Sequence, residues 1–188
     1  MKLNYTSILT AATLMVATAN ANAGMIMDWY AGATAGYGSM AMVIDDNGHD
    51  HTSDHAAQSY GAIIGVDLPV VRFEAEYDYL DSKRVDMQTL MGNAYVKLPG
   101  LVVVNPYIGV GVGVMFDASA DSKYYPDIKL DTAIAYQGML GATLNIPALP
   151  FKIDIEGRAL FVPEIYSKHN IDVDGLQYDA RIKLRYVF

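Results

Sequence analysis

The stretch that decides the fold is VVRFEAEYDYL, residues 70–80. It carries a charge at every second position. Arg72, Glu74, Glu76 and Asp78 alternate with Val71, Phe73, Ala75, Tyr77 and Tyr79. Period-2 alternation is the mark of a strand with one polar and one apolar face. In a soluble sheet the charges would face water and the aromatics a core. In a membrane barrel the aromatics would face lipid and the charges the lumen. The local pattern is the same in both, so the rest of the chain has to choose.

The chain has 188 residues, enough for one domain with a sizeable core. At 52% apolar and 18% charged it leans apolar. Yet beyond the first few dozen residues no apolar run approaches the ~20 residues that a membrane helix needs. The formal net charge of −8 repels phosphate backbones, so nucleic acid is not an expected partner. There is no cysteine, hence neither disulfide nor thiol chemistry.

The first residues, MKLNYTSILTAATLMVATANANA, put Lys2 before an apolar stretch from Ile8 to Ala19 and end in Ala21-Asn22-Ala23. A positive start, an apolar middle and a small-x-small end read as a secretory signal peptide over residues 1–23. The barrel domain then covers residues 24–188.

Eight period-2 segments follow: Trp29–Met40, Ser59–Asp67, Val70–Tyr79, Met87–Lys97, Val103–Phe116, Thr132–Asn145, Phe151–Phe161 and Gln177–Phe188. Most exceed the ~5–6 residues of a usual globular strand. They suit the ~9–11 of a tilted membrane strand. The connections alternate. Ala41 to Gln58, Leu80 to Asp86, Asp117 to Asp131 and Val162 to Leu176 are polar or charged, and mostly long. Those at Asp67-Leu68-Pro69, Leu98-Pro99-Gly100 and Ile146 to Pro150 are short and carry proline, which cannot donate to a ladder. Sorting long connections to one end is the asymmetry of up-and-down membrane barrels.

Parity assigns the faces. Phe151, Ile153, Ile155, Gly157, Ala159 and Phe161 share one side of the seventh segment, with Lys152, Asp154, Glu156 and Arg158 on the other. Tyr178, Ala180, Ile182, Leu184, Tyr186 and Phe188 oppose Asp179, Arg181, Lys183 and Arg185 in the eighth. The outward aromatics gather toward the segment ends, as two interfacial girdles would; core aromatics of a β-sandwich are the alternative. The fold expected is all-β: an eight-stranded antiparallel up-and-down transmembrane β-barrel. Its lumen would hold Arg72, Glu74, Glu76, Asp78, Lys97, Lys152, Asp154, Glu156, Arg158, Asp179, Arg181, Lys183 and Arg185. Charges in so narrow a space need partners or water. An antiparallel final hairpin sets Asp154 by Lys183, Glu156 by Arg181 and Arg158 by Asp179, and Glu156 is expected to pair with Arg181 or Lys183. Gly109, Gly111 and Gly113 would leave room for long side chains from across the lumen.

The opening strand WYAGATAGYG, the pair GNAYVKLPG and NPYIGVGVGVMF, and the C-terminal ARIKLRYVF resemble the opacity-type and OmpA-like eight-stranded outer-membrane barrels. The resemblance spans essentially all of the chain after the signal. It implies the outer membrane of a Gram-negative bacterium, a barrel without a periplasmic domain, and lipid as surroundings. It implies Tyr186 and Phe188 as a signal to the barrel-assembly machinery. It also implies roles in envelope integrity, adhesion or surface antigenicity, with a host or surface ligand met by the outer loops, and sometimes weak pore activity. A monomer without cofactor is expected.

Other sites are weaker. DDNGHDHTSDH, residues 45–55, holds His49, His51 and His55 among aspartates, donors that suit Zn²⁺, Cu²⁺ or Ni²⁺. A solvated acidic loop is the preferred reading. Ser167 and His169 are a close Ser/His pair, as a lipid-modifying enzyme would need, but nothing marks an orienting acid or oxyanion donor. No enzyme is expected; a narrow channel is the other reading. The signal-peptide reading has a direct check. N-terminal sequencing of the protein extracted from membranes should start at Gly24-Met25-Ile26, and a retained Met1 would contradict export.

Overall fold

Strands that carry charge on one face and oil on the other satisfy both by closing into a ring. The computed structural model describes residues 27–46, 49–82, 85–100, 103–122, 125–130, 132–168 and 171–188, with backbone alone at 41–46, 49–55, 85, 117–122, 125–130, 164–168 and 171–174. The proposed signal peptide and His169 lie outside the described residues. The strands are β1 (Asp28–Asp46), β2 (His49–Asp67), β3 (Val71–Ser82), β4 (Val85–Lys97), β5 (Val104–Ser122), β6 (Tyr125–Leu130), β7 (Ala133–Asn145), β8 (Phe151–Lys168) and β9 (Ile171–Val187).

All pairings are antiparallel. The ring runs β1-β2-β3-β4-β5-β7-β8-β9, and β9 returns to β1 with Tyr30 opposite Val187 and Thr34 opposite Lys183. Closure removes the sheet edges, whose unpaired N–H and C=O groups hydrocarbon could not satisfy. The short β6 stands outside this ring and pairs with the far end of β5. An eight-stranded barrel is therefore present, with one added strand.

The connections expected to be long loops are largely strand. β1 and β2 stay paired from Asp28↔Asp67 to Asp46↔His49. β8 and β9 continue to Lys168↔Ile171 past a bulge between Val162 and Tyr166. β5 runs to Ser122 and is met there by β6. The two residues between β1 and β2 are Asn47 and Gly48, the pair that two-residue hairpin turns favour. At the opposite end the connections are tight. Leu68 N–H donates to Val71 O at 2.9 Å, Leu98 N–H to Pro106 O at 2.8 Å, and Val187 N–H to Pro150 O at 2.8 Å.

Facing follows parity. β3 alternates buried and exposed from Arg72 through Ser82 without a break. Val110, Leu140, Ile155 and Ile182 lie exposed on the outer wall. Among residues whose side chains are described, no charge stands in the middle of that wall. Tyr37 joins the exposed aromatics read from the sequence, which include Trp29, Phe73, Tyr60, Tyr77, Tyr136 and Tyr178. An exposed wall of oil with a buried charged interior inverts a soluble protein.

That inversion can be measured. Ile182, 58% exposed, sits mid-wall. Ile182→Lys should destabilise the barrel by ~2–4 kcal/mol when unfolding is followed in lipid vesicles. A soluble barrel would respond to the same exchange at an exposed site by no more than about 0.5 kcal/mol.

Candidate functional site

Strands β3, β8 and β9 bring their polar faces together inside the ring. Seven bases (Arg72, Lys97, Lys152, Arg158, Arg181, Lys183 and Arg185) meet seven acids (Asp67, Glu74, Glu76, Asp78, Asp154, Glu156 and Asp179), and every one of them makes an ion pair. The thirteen residues predicted from parity are all here. Asp67 is the one that reading assigned to a turn. It accepts from Lys97 at 2.5 Å and Lys152 at 3.0 Å, and its inclusion makes the lumen formally neutral.

At mid-height the anions of β3 face the cations of β9 across β1 and β2. Arg181 pairs with Glu76 and, at 3.0 Å, with Asp78. Lys183 reaches Glu74 at 2.9 Å and Glu156 at 3.1 Å. Arg158 closes the layer, 2.7 Å from Asp78 and 2.5 Å from Asp179. Neutral groups complete the carboxylate shells. Tyr30 and Tyr95 hydroxyls each donate to Glu74 at 2.8 Å, Tyr107 donates to Glu156 at 3.0 Å, and Asn93 donates to Glu76 at 2.6 Å.

Nearer the turn end, Asp154 takes Arg72 at 3.1 Å, Arg185 at 2.7 Å and the Thr143 hydroxyl at 2.6 Å. The Arg72 guanidinium carbon lies 4.0 Å from the Tyr95 ring centre and 4.6 Å from that of Tyr107. Its Nε and Nη2 have no hydrogen-bond acceptor, and the π faces stand in that place. The two rings meet edge-to-face with centres 5.4 Å apart.

The backbone register of the last hairpin agrees with the sequence: Asp154↔Lys183, Glu156↔Arg181 and Arg158↔Asp179. The side chains follow it in part, and Glu156 takes one of the two bases expected for it. Only Arg158–Asp179 is bonded directly across; Asp154 takes Arg185, and Glu156 is closer to Lys183 than to Arg181, at 3.1 Å against 3.9 Å. Long side chains lean along their strands, so diagonal neighbours come within reach.

The glycine column of β5 also differs from expectation. Side chains of the flanking strands, not of the far wall, fill it. A Cβ on Gly109 would strike the Tyr95 ring, and one on Gly111 would strike Asn93 and Gln137. The glycines that let cations cross the lumen lie on β1 and β2. A Cβ on Gly36 would meet Arg181 and Ser59, and one on Gly61 would meet Asp78 and Thr34.

Above the charges, toward the hairpin end, the lumen turns apolar. Met40, Ala57, Leu80, Met87, Met91, Met115, Ala135, Leu160 and Val162 form one buried cluster. Sequence parity placed Met115 inward but did not reveal this cap. Its signal was present: polar faces of β3 and β8 end in Leu80 and in Leu160 and Val162.

The remaining expectations separate. His49, His51 and His55 occupy alternate positions of β2, where only the backbone is described, and Ser167 is likewise on β8. Tyr186 stacks beside Phe151 with ring centres 5.3 Å apart, and Phe188 N–H donates to Trp29 O at 2.9 Å, so the terminus seals the ring.

The fold has known counterparts. The crystal structure of Neisserial surface protein A matches with a TM-score of 0.58 and 16% identity, over 82% of this chain and 95% of that one. The N-terminal β-barrel domain of OprF from Pseudomonas aeruginosa matches with a TM-score of 0.52 and 12% identity, over 82% and 97%. The fold is that of the small outer-membrane barrels. No protein-family model and no curated protein sequence matches this chain.

Removing one partner of a buried ion pair strands the other. Glu76→Gln and Arg181→Gln should each cost ~3–5 kcal/mol in detergent unfolding. The double variant should lose clearly less than the sum. Losses of only ~0–1 kcal/mol would mark a hydrated, screened interior.

Proposed function

We propose that this protein is a non-conducting outer-membrane barrel of a Gram-negative envelope, acting through the strand hairpins at its outer end in a structural, adhesive or surface-antigen role. The observation that carries the reading is the neutral ion-pair network spanning the lumen. Paired charges fill the cross-section and leave no net charge to draw an ion through, and the methionine-rich cap leaves one mouth apolar. The network supports a plug over the narrow channel. The fold likeness supports the membrane setting, and the signal sequence supports export. The finer likeness to opacity-type barrels rests on the strand motifs.

Because lumen charges cancel, the chain's net negative charge falls outside it. Asp45, Asp46, Asp50 and Asp54 belong to the β1–β2 hairpin, Asp117, Asp121 and Asp127 to β5 and β6, and Asp172 and Asp174 to β9. An acidic outer end favours cationic partners and repels polyanions. The purified barrel in planar bilayers should be electrically silent, whereas steady single-channel steps would favour the channel. Replacing residues 41–58 by a tight turn should abolish attachment to surfaces bearing cationic groups and leave the barrel folded. Unchanged attachment would remove the hairpin from the function.

A further inference from the structure

The β1–β2 hairpin rises past the ring without losing step. Its register runs unshifted from Asp28↔Asp67 to Asp46↔His49. Parity therefore carries from the ring to the tip. On β2, Ala57 and Ser59 are buried on the lumen face, and His49, His51 and His55 share their parity. On β1, Thr34 and Met40 are buried on that face, and Met42, Ile44 and Asp46 share theirs. One face of the tip thus carries Asp46 opposite His49, with His51 two residues further along β2. The other face carries Asp45, opposite Asp50 on one side and Asp172 on the other.

We propose that Asp46, His49 and His51 form a site for a divalent ion of the zinc class. Alternate positions of a strand are about 6.6 Å apart, and directly opposed residues about 4.5–5.5 Å. Donors rooted that close can share one ion, which each would hold at ~2.0–2.2 Å. Two imidazoles and a carboxylate suit Zn²⁺, and three protein ligands leave a position for water or for a donor of another molecule. A backbone ladder spaces them, so less ordering entropy is lost on binding than in a free loop. His55 is excluded from the set. It shares the face, but it is opposite Met40 and about 13 Å along the strand from His51. The histidine pattern alone groups three imidazoles; the register drops one and adds Asp46. The aspartates of the other face draw cations to this end of the molecule.

The site needs only the register of this hairpin, so it stands or falls apart from the role proposed above for the outer end. Its test is calorimetric titration of Zn²⁺ into the folded, untagged barrel in detergent. His49→Ala, His51→Ala and Asp46→Ala should each weaken binding by roughly tenfold or more. His55→Ala should bind as wild type does. A further variant exchanges neighbours: His51→Thr with Thr52→His keeps the composition and moves one imidazole to the other face. It should bind as weakly as His51→Ala. Wild-type affinity in that exchange would reveal a loose chelating segment and overturn the site, as would an equal loss in His55→Ala. Identical titrations of wild type and of His49→Ala combined with His51→Ala would overturn zinc binding at the hairpin altogether. Far-ultraviolet circular dichroism, alike in all variants, separates loss of the site from loss of the fold.

Discussion

The structure depends on one constraint: charges enclosed in a narrow ring must find one another. Arg181 illustrates it. Fully buried on β9, it lies among Glu76, Asp78 and Glu156, and no water-filled mouth is needed to keep it charged. Taking it from water is expensive, and only several acceptors at close range offset that expense. The barrel supplies them from β3 and β8 at once, which no local hairpin could do.

Other features follow from that demand. Cations of β9 reach β3 only because the inward positions of β1 and β2 include glycines at 36 and 61. The acids outside the lumen outnumber the bases there, so the two ends of the molecule differ in charge as well as in length of connection. The apolar cap of Met87, Met91 and Met115 ends the polar column. Unbranched thioethers fill the irregular space that the tapering charges leave.

Much of this was legible in the sequence because a strand's period is two. Once β3 is read as alternating, every charge in β8 and β9 takes a side, and thirteen lumen residues follow by parity. Parity is blind to three things. It does not see side-chain lean, so it gives the register of Asp154 opposite Lys183 but not the ion pairs that Asp154 makes with Arg185 and Arg72. It does not see reach, so it gives no sign that the tyrosines at 30, 95 and 107 hold the central carboxylates. And it ends where composition turns polar on both faces. There β1 and β2 continue as a ladder held by backbone hydrogen bonds, which side-chain patterning does not report, although Asn47-Gly48 is a hairpin signal in its own right.

The central claim is that the lumen is closed to water. The chain has no cysteine, so a single thiol can report on this without background. Ser59, 1% exposed beside Asp179 at mid-lumen, is the position to use, with Ser59→Cys as a near-isosteric change. Exposed Thr132 at the start of β7 gives the reference thiol. The decisive measurement is the rate at which a small cationic thiosulfonate modifies each in the folded protein in bilayers. Thr132→Cys should react promptly, and Ser59→Cys should stay unmodified until the barrel is unfolded. Reaction of Ser59→Cys at a rate near that of Thr132→Cys would show a continuous aqueous path and contradict it.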